Sequence, residues 1–202
     1  MERLEFYGKS INERFLERAV RTLEAGGLVI FPTDSLYALG CDALNNRAIE
    51  RLCRIKGINP EKQLLSVVCA DISQAAVYAR IDNRAFRLLR DNLPGPFTFI
   101  LPASPRLPKA FKGRHTVGVR IPGNDVAQAL AHALGRPLLA SSVEIDDEAE
   151  AVDPESVAMH YDGLCDLILD AGPGDTVPSA VIDITDPDDP QILRPGPTEP
   201  TL

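Results

Sequence analysis

Gly27-Leu28-Val29-Ile30-Phe31, followed at once by Pro32-Thr33-Asp34-Ser35-Leu36-Tyr37-Ala38-Leu39-Gly40, is the segment around which this chain organises itself. The first five residues are short, apolar and partly β-branched, the composition of a buried strand. Proline cannot donate to a sheet ladder, so the strand stops at Pro32. Thr33, Asp34, Ser35 and Tyr37 then bring polar groups to its carboxyl end. In open α/β sheets that edge is where ligands bind. The competing reading is a strand-terminating turn closed by an Asx-type hydrogen bond from Asp34. Spacing alone does not choose between the two.

Outward from this segment, helical and strand signals alternate. Asn12 to Ala25 carries apolar residues at helical spacing (Phe15, Leu16, Ala19, Val20, Leu23), and Gly26-Gly27 ends it. Asn46 to Lys56 reads as a second helix closing at Gly57, and Leu64 to Cys69 as a strand. Helical stretches around Ser73 to Val77 and Asn83 to Asn92 precede Pro94-Gly95-Pro96, which forces a turn into the strand Phe97 to Leu101. Val117 to Ile121 is a strand stopped by Pro122-Gly123, and Asp125 to Leu134 a helix ended by Gly135. Pro137 to Ala140, Cys165 to Leu169, Ser179 to Ile184 and Gln191 to Leu193 complete the strands. No repeat and no long linker is visible. The pattern predicts one α/β domain over residues 1–202, with a twisted, mixed parallel and antiparallel sheet flanked by helices.

Composition excludes several classes. No 18-residue apolar run is present, so no membrane-spanning helix is expected. The charged start Met1-Glu2-Arg3-Leu4-Glu5 lacks the apolar core of a secretory signal. Cys41, Cys53, Cys69 and Cys165 have no paired spacing and no nearby histidines, so they read as reduced thiols of a cytoplasmic protein. The net charge of −8 divides unevenly: residues 1–122 carry 19 Lys and Arg against 12 acids, residues 123–202 carry 2 against 17. Bulk charge therefore does not favour coating nucleic acid, but the first part can build a positive face. The acidic run from Glu144 through Asp146, Asp147, Glu148, Glu150 and Asp153 to Glu155 reads as a solvated loop, with metal binding the minority reading.

Three cationic clusters point to an anionic ligand. Arg54, Lys56 and Lys62 leave a helix and enter a strand, where they hold phosphates or cap the helix end. Lys109, Lys112, Arg114, His115 and Thr116 precede a strand that carries Arg120. An arginine within an apolar strand is costly unless paired, so Arg120 should meet an acid or an anionic ligand. Arg194-Pro195-Gly196 places a further cation beside a tight turn. Neither the P-loop nor the dinucleotide fingerprint is present, Gly172-Pro173-Gly174 reads as a plain loop, and His115, His132 and His160 have no metal-pair spacing. No nucleophile elbow or triad stands out.

The succession Pro32 to Gly40, Lys56-Gly57, Pro94 to Thr98, Val117 to Pro122, Gly135 to Leu138, Ser179 to Asp183 and Arg194 to Gly196 resembles the YrdC-like family over about residues 12–197. The resemblance implies a YrdC-like fold with a large positive concave cleft. It also implies the activity of threonylcarbamoyl-AMP synthases, nucleotidyltransferases that join ATP, L-threonine and bicarbonate and release pyrophosphate. Mg²⁺ accompanies the ATP, and no resident metal site is implied. The product serves tRNA threonylcarbamoyladenosine modification. By the same resemblance Thr33, Tyr37, Lys62, Arg120 and Ser179 are threonine-binding positions. Lys56, Thr116, Ser142 and Arg194 are positions around the ATP phosphates, with Lys56 and Arg194 the catalytic cations. Because such a reaction rests on positioning and charge stabilisation, it needs no side-chain nucleophile.

The chain departs from the synthases at two motifs. Lys-x-Arg reads Lys56-Gly57-Ile58, losing a guanidinium, and Ser-x-Asn reads Ser142-Val143-Glu144, adding a carboxylate beside the phosphate positions. That carboxylate requires Mg²⁺ or another cation to bridge it. Ser35 and Ala38 replace the more usual Thr and Gly. These departures, with the Asn83 to Leu88 stretch, resemble the YciO-like branch, which lacks the carboxyl-terminal domain of longer members. A non-catalytic relative that binds double-stranded RNA, tRNA or the ribosome through Lys109, Lys112 and Arg114 is the alternative expectation.

Overall fold

The computed structural model describes residues 1–7, 10–59, 66–108, 111 and 113–202. Ten strands form one mixed sheet: β1 (Glu2–Glu5), β2 (Val29–Phe31), β3 (Ala38–Asp42), β4 (Ser66–Val68), β5 (Phe97–Pro102), β6 (Thr116–Arg120), β7 (Leu138–Ser142), β8 (Leu167–Asp170), β9 (Ala180–Asp183) and β10 (Gln191–Arg194). Their spatial order is β1-β8-β2-β3-β7-β4-β6-β5-β9-β10. The pairs β1/β8, β2/β8, β4/β6 and β5/β9 are parallel, and the others antiparallel. Among the described residues seven helices connect them: α1 (Glu13–Glu24), α2 (Asn46–Ile55), α3 (Ile72–Tyr78), α4 (Asn83–Asn92), α5 (Asp125–Leu134), α6 (Glu148–Val152) and α7 (Pro154–His160).

Strand alternation sorts the side chains into two cores, one on each sheet face. Ile30, Leu39, Cys41, Val67, Phe99, Val119, Leu139 and Ile182 face a core closed by α2, α3, α4 and α7. Their neighbours Val29, Phe31, Ala38, Val68, Leu138, Leu167 and Leu169 face a second core closed by α1 and α5. Among the described residues two helices cover this second face. Along β4, β6, β5 and β9 it carries Ser66, Gly118, Thr98 and Val181, and there a cavity opens. The uncovered half of one sheet face is the structural origin of the cleft.

Caps explain the helix limits. Asn12, Asn45, Asp82 and Asn124 accept backbone N–H groups at the starts of α1, α2, α4 and α5, and Gly135 ends α5 in the left-handed region at φ 68°. Gly57 follows α2 at φ 61°, where a side chain would be strained.

Three sequence expectations change. The acidic run is not simply a solvated loop: Asp147 and Asp153 cap α6 and α7, and Ala151 and Val157 are buried beneath them. Asp147 accepts from Ala149 and Glu150, and Asp153 from Ser156, so part of this acidity satisfies helix N-termini. Ala38 to Asp42 is a strand, β3, where the sequence announced none. The charged amino terminus forms edge strand β1, which no apolar pattern announced.

Candidate functional site

The cavity has a volume of about 280 Å³. Its floor includes Ala38, Ser66, Val68 and Ala140, its walls Thr98, Ser179 and Arg194 on one side and Leu52 and Ile58 on another. Small side chains keep the floor low. A Cβ on Gly118 would lie 2.4 Å from Ser66 Oγ and 3.2 Å from Thr98 Cγ2.

Arg120 ends β6 against this cavity and is 7% exposed. Its Nη2 donates to Asp34 Oδ1 at 2.9 Å, to Ser35 Oγ at 3.0 Å and to Thr33 Oγ1 at 3.4 Å. Asp34 Oδ2 accepts from the Gly123 N–H at 2.5 Å. Asp34 therefore spans to β6 and the turn after it rather than closing an Asx turn. Thr33 takes that local role, accepting the Ser35 N–H and donating to the Leu36 carbonyl at 2.6 Å. Burial lowers the Arg120 pKa from its usual value, and the Asp34 charge opposes that shift. Arg120 Nε is buried without a hydrogen-bond partner, an unmet donor on a cation. Leaving such a group unmet is costly, so a ligand acceptor there would be favoured.

Lys56 caps the carboxyl end of α2, and its Nζ donates to the Ser142 carbonyl at 2.8 Å. The same Nζ lies 3.0 Å from Glu144 Oε1, the Lys56 side chain being 2% exposed and that of Glu144 77%. The cation that offsets Glu144 is thus Lys56 itself. Arg194 ends β10 on the cavity wall, and its Nε and Nη2 both donate to the Ser179 carbonyl, at 3.1 and 2.8 Å. The Ser179 hydroxyl pairs with Thr98 Oγ1 at 2.9 Å. Gly196 makes this junction possible, since a Cβ there would lie 2.3 Å from the Ala180 backbone nitrogen.

The structure brings Arg120, Ser142, Ser179 and Arg194 to the cavity, with Lys56 and Thr33 bonded to its wall. Thr116 shares the β6 face of Gly118 and Arg120 but sits at the strand's far end, outside the lining. Tyr37 lies beneath the site, fully buried, its hydroxyl donating to Gly172 O at 2.7 Å and accepting the Ala171 N–H. Lys62, Lys109 and Lys112 lie outside the described residues. Arg114 is half-buried and its N–H bonds Phe111 O. Among the described residues no group of three or more His, Cys, Asp or Glu is arranged to hold a metal, and no helix is long and apolar enough to cross a membrane.

Sequence reasoning left out several contributors. Thr98 and Gly118 stood in quoted motifs without a role, and Ser66 had no chemical signal at all. The Gly172-Pro173-Gly174 loop packs on Tyr37, with a Gly174 Cβ placed 2.8 Å from the ring.

A family model described as telomere recombination, covering the Sua5, YciO and YrdC proteins, matches residues 21–196. The chain belongs to the Sua5/YciO/YrdC family. Within this family it is 39% identical to YciO, an uncharacterised protein of Escherichia coli, over 187 residues covering 91% of this chain and 90% of that one. The crystal structure of Escherichia coli YciO superposes with a TM-score of 0.89 at 36% identity, covering 98% of both chains. The Pyrococcus abyssi threonylcarbamoyl-AMP synthase is 34% identical over 93% of this chain and 56% of its own length. A crystal structure of Pyrococcus abyssi Sua5 complexed with L-threonine matches with a TM-score of 0.84 at 32% identity, covering 96% of this chain and 57% of that one. The Sua5/YciO/YrdC fold expected from the motifs is therefore the observed one, and the chain spans little more than half the length of those Sua5 relatives.

Proposed function

We propose that the cleft forms a carbamoyl adenylate, in a threonylcarbamoyl-AMP synthase-type reaction serving tRNA threonylcarbamoyladenosine modification. The observation that carries this reading is the buried Arg120 guanidinium with an unmet Nε donor at the cavity. A carboxylate is the small-molecule acceptor that suits such a group, and an amino acid supplies one. In the reading the carboxylate of L-threonine is drawn to Arg120, with Ser179 and Thr98 within the same cavity for its other polar groups.

The chemistry then follows. The neutral threonine amine attacks the carbon of bicarbonate, a C–N bond forms, a C–O bond breaks and water leaves, giving a carbamate. A carbamate oxygen attacks the α-phosphorus of ATP, a P–O bond forms, the bond to the β-phosphate breaks, and pyrophosphate leaves. Two anions must be held together, so the work is positioning and charge compensation. Arg194 stands on the wall for the phosphate side, with Lys56 behind Ser142. Mg²⁺ would enter with the triphosphate and offset part of its charge.

Pyrophosphate release from ATP, bicarbonate and Mg²⁺, with and without L-threonine, tests the reading. Threonine-dependent release is the expected result. Release by neither the wild type nor an Ile58→Arg/Glu144→Asn variant would overturn it.

A further inference from the structure

Three cations adjoin the cavity among the described residues, and two of them hold carboxylates. Lys56 pairs with Glu144, Arg120 with Asp34, and Arg194 spends two donors on the Ser179 carbonyl. The formal balance of these five groups is +1. The two pairs differ in kind. Asp34 is largely buried and also holds the Gly123 N–H, so it builds the site's scaffold. Glu144 is exposed and its backbone is anchored separately, through its N–H to Tyr161 Oη at 3.1 Å. Its carboxylate touches the ammonium that backs Ser142 and is open to solvent on its other side.

An exposed carboxylate fixed on a buried ammonium cancels that ammonium's field at distances longer than the pair. Phosphates approaching Ser142 therefore meet a near-neutral pair where Lys56 alone would offer a full positive charge. The penalty grows with the charge the ligand brings. A phosphomonoester carries about −1.5 to −2 at neutral pH, and a free triphosphate more.

We propose that Glu144 is a specificity-determining residue that, by neutralising Lys56, makes the cleft select nucleotides of low net charge (a nucleoside monophosphate, or a triphosphate masked by a divalent cation) over the free triphosphate. This rests on the cleft being a nucleotide site, as the adenylate-forming reading requires, and it specifies which charge form of the nucleotide enters.

The test is calorimetric titration of the full chain with AMP, with ATP in the presence of a chelator, and with ATP plus excess Mg²⁺, for wild type, Glu144→Gln and Lys56→Gln/Glu144→Gln. Wild type should bind AMP and magnesium-loaded ATP more tightly than chelated ATP. Glu144→Gln should tighten chelated ATP by on the order of tenfold and AMP by clearly less, with a gain that shrinks as salt rises. The double variant should lose that gain, because the carboxylate acts through the ammonium. An unchanged ratio of ATP to AMP affinity in Glu144→Gln would overturn the proposal while leaving the nucleotide site standing. No nucleotide binding by any of the three proteins would overturn both. A structural role alone would shift all ligands together and leave the ratio unmoved, which also counts against the proposal.

Discussion

The carboxylate of Asp34 holds β6 and the loop after β2 together, one oxygen 2.9 Å from Arg120 Nη2 and the other 2.5 Å from the Gly123 nitrogen. Both side chains are largely withdrawn from water. Removing one member of such a pair leaves the other charged and uncompensated. Asp34→Ala should therefore destabilise the chain by about 3–5 kcal/mol, the upper range for a broken buried pair. Equilibrium urea unfolding would show it, and a loss below about 1 kcal/mol, the value of a surface pair, would refute it.

Arg120→Lys keeps the charge but loses the planar fork and the Nε–H. Threonine-dependent pyrophosphate release should fall by on the order of 10²-fold, the usual consequence of removing a preorganised donor. The loss should appear chiefly in the response to threonine concentration. An unaltered dependence on threonine would separate Arg120 from the amino acid.

Gly118→Val tests the cavity without touching a charged group. The new side chain meets Ser66 Oγ and Thr98 Cγ2 at once, so it fills the floor. Overpacking of this kind costs about 1–3 kcal/mol, which a stable domain survives. Nucleotide and threonine binding should be lost while the circular dichroism spectrum is kept. Retained binding would place the ligands elsewhere.

Tyr37→Phe removes a buried hydroxyl that bonds both Gly172 O and the Ala171 N–H. Two backbone groups then lose their partner, and unfolding free energy should fall by about 1–3 kcal/mol. Hydrogen exchange should also speed up in residues 171–178. The loop joined to Ser179 is held from below by this hydroxyl, so exchange unchanged there would contradict the assignment of Tyr37 as its anchor.

Alkaline stability follows from the buried thiols. Burial raises all four, with Cys69 and Cys165 pushed up to about 12. A thiol with a raised folded pKa stays neutral in the native state while the unfolded chain ionises. Its contribution is complete below pH 9.0, the ordinary value, and is lost as pH climbs from there toward the folded value. Each such thiol adds at most about 1.4 kcal/mol of lost stability per pH unit in that window. Urea unfolding between pH 9 and 11 should show the decline, and Cys69→Ala should flatten it. An identical slope in Cys69→Ala would show that its titration is not coupled to folding.

Much of the site's frame can be read from local sequence, because local physics sets it. Pro32 stops β2, Pro122 follows β6, and the helix starts at Asn12, Asn45 and Asp82 carry side-chain caps. Arg120 inside an apolar strand required a partner, and Asp34 is that partner. β3 escaped because it is buried on both faces and contains Gly40, so it shows neither alternation nor strand propensity. Its identity comes from β2 and β7 on either side. β1 escaped because only Leu4 is buried in a charged edge strand. The Lys56–Glu144 pair joins the end of α2 to the residues after β7, and no spacing rule connects segments that far apart. Even so, Glu144 had already stood out as a departure, and Lys56 as a cation the motif retains.

The sheet order also sets the pace at which this chain can reach its native state. β8 inserts between β1 and β2, and β9 lies beside β5, so early segments wait for late ones. Pairing across such sequence separation pays its loop-closure entropy before any contact rewards it, which makes folding slow. Until β8 and β9 arrive, β2 and β5 present open ladder edges that other chains can join. Ser179 and Arg194 belong to that late portion, so a chain still completing its sheet is at once most prone to aggregate and without a cleft.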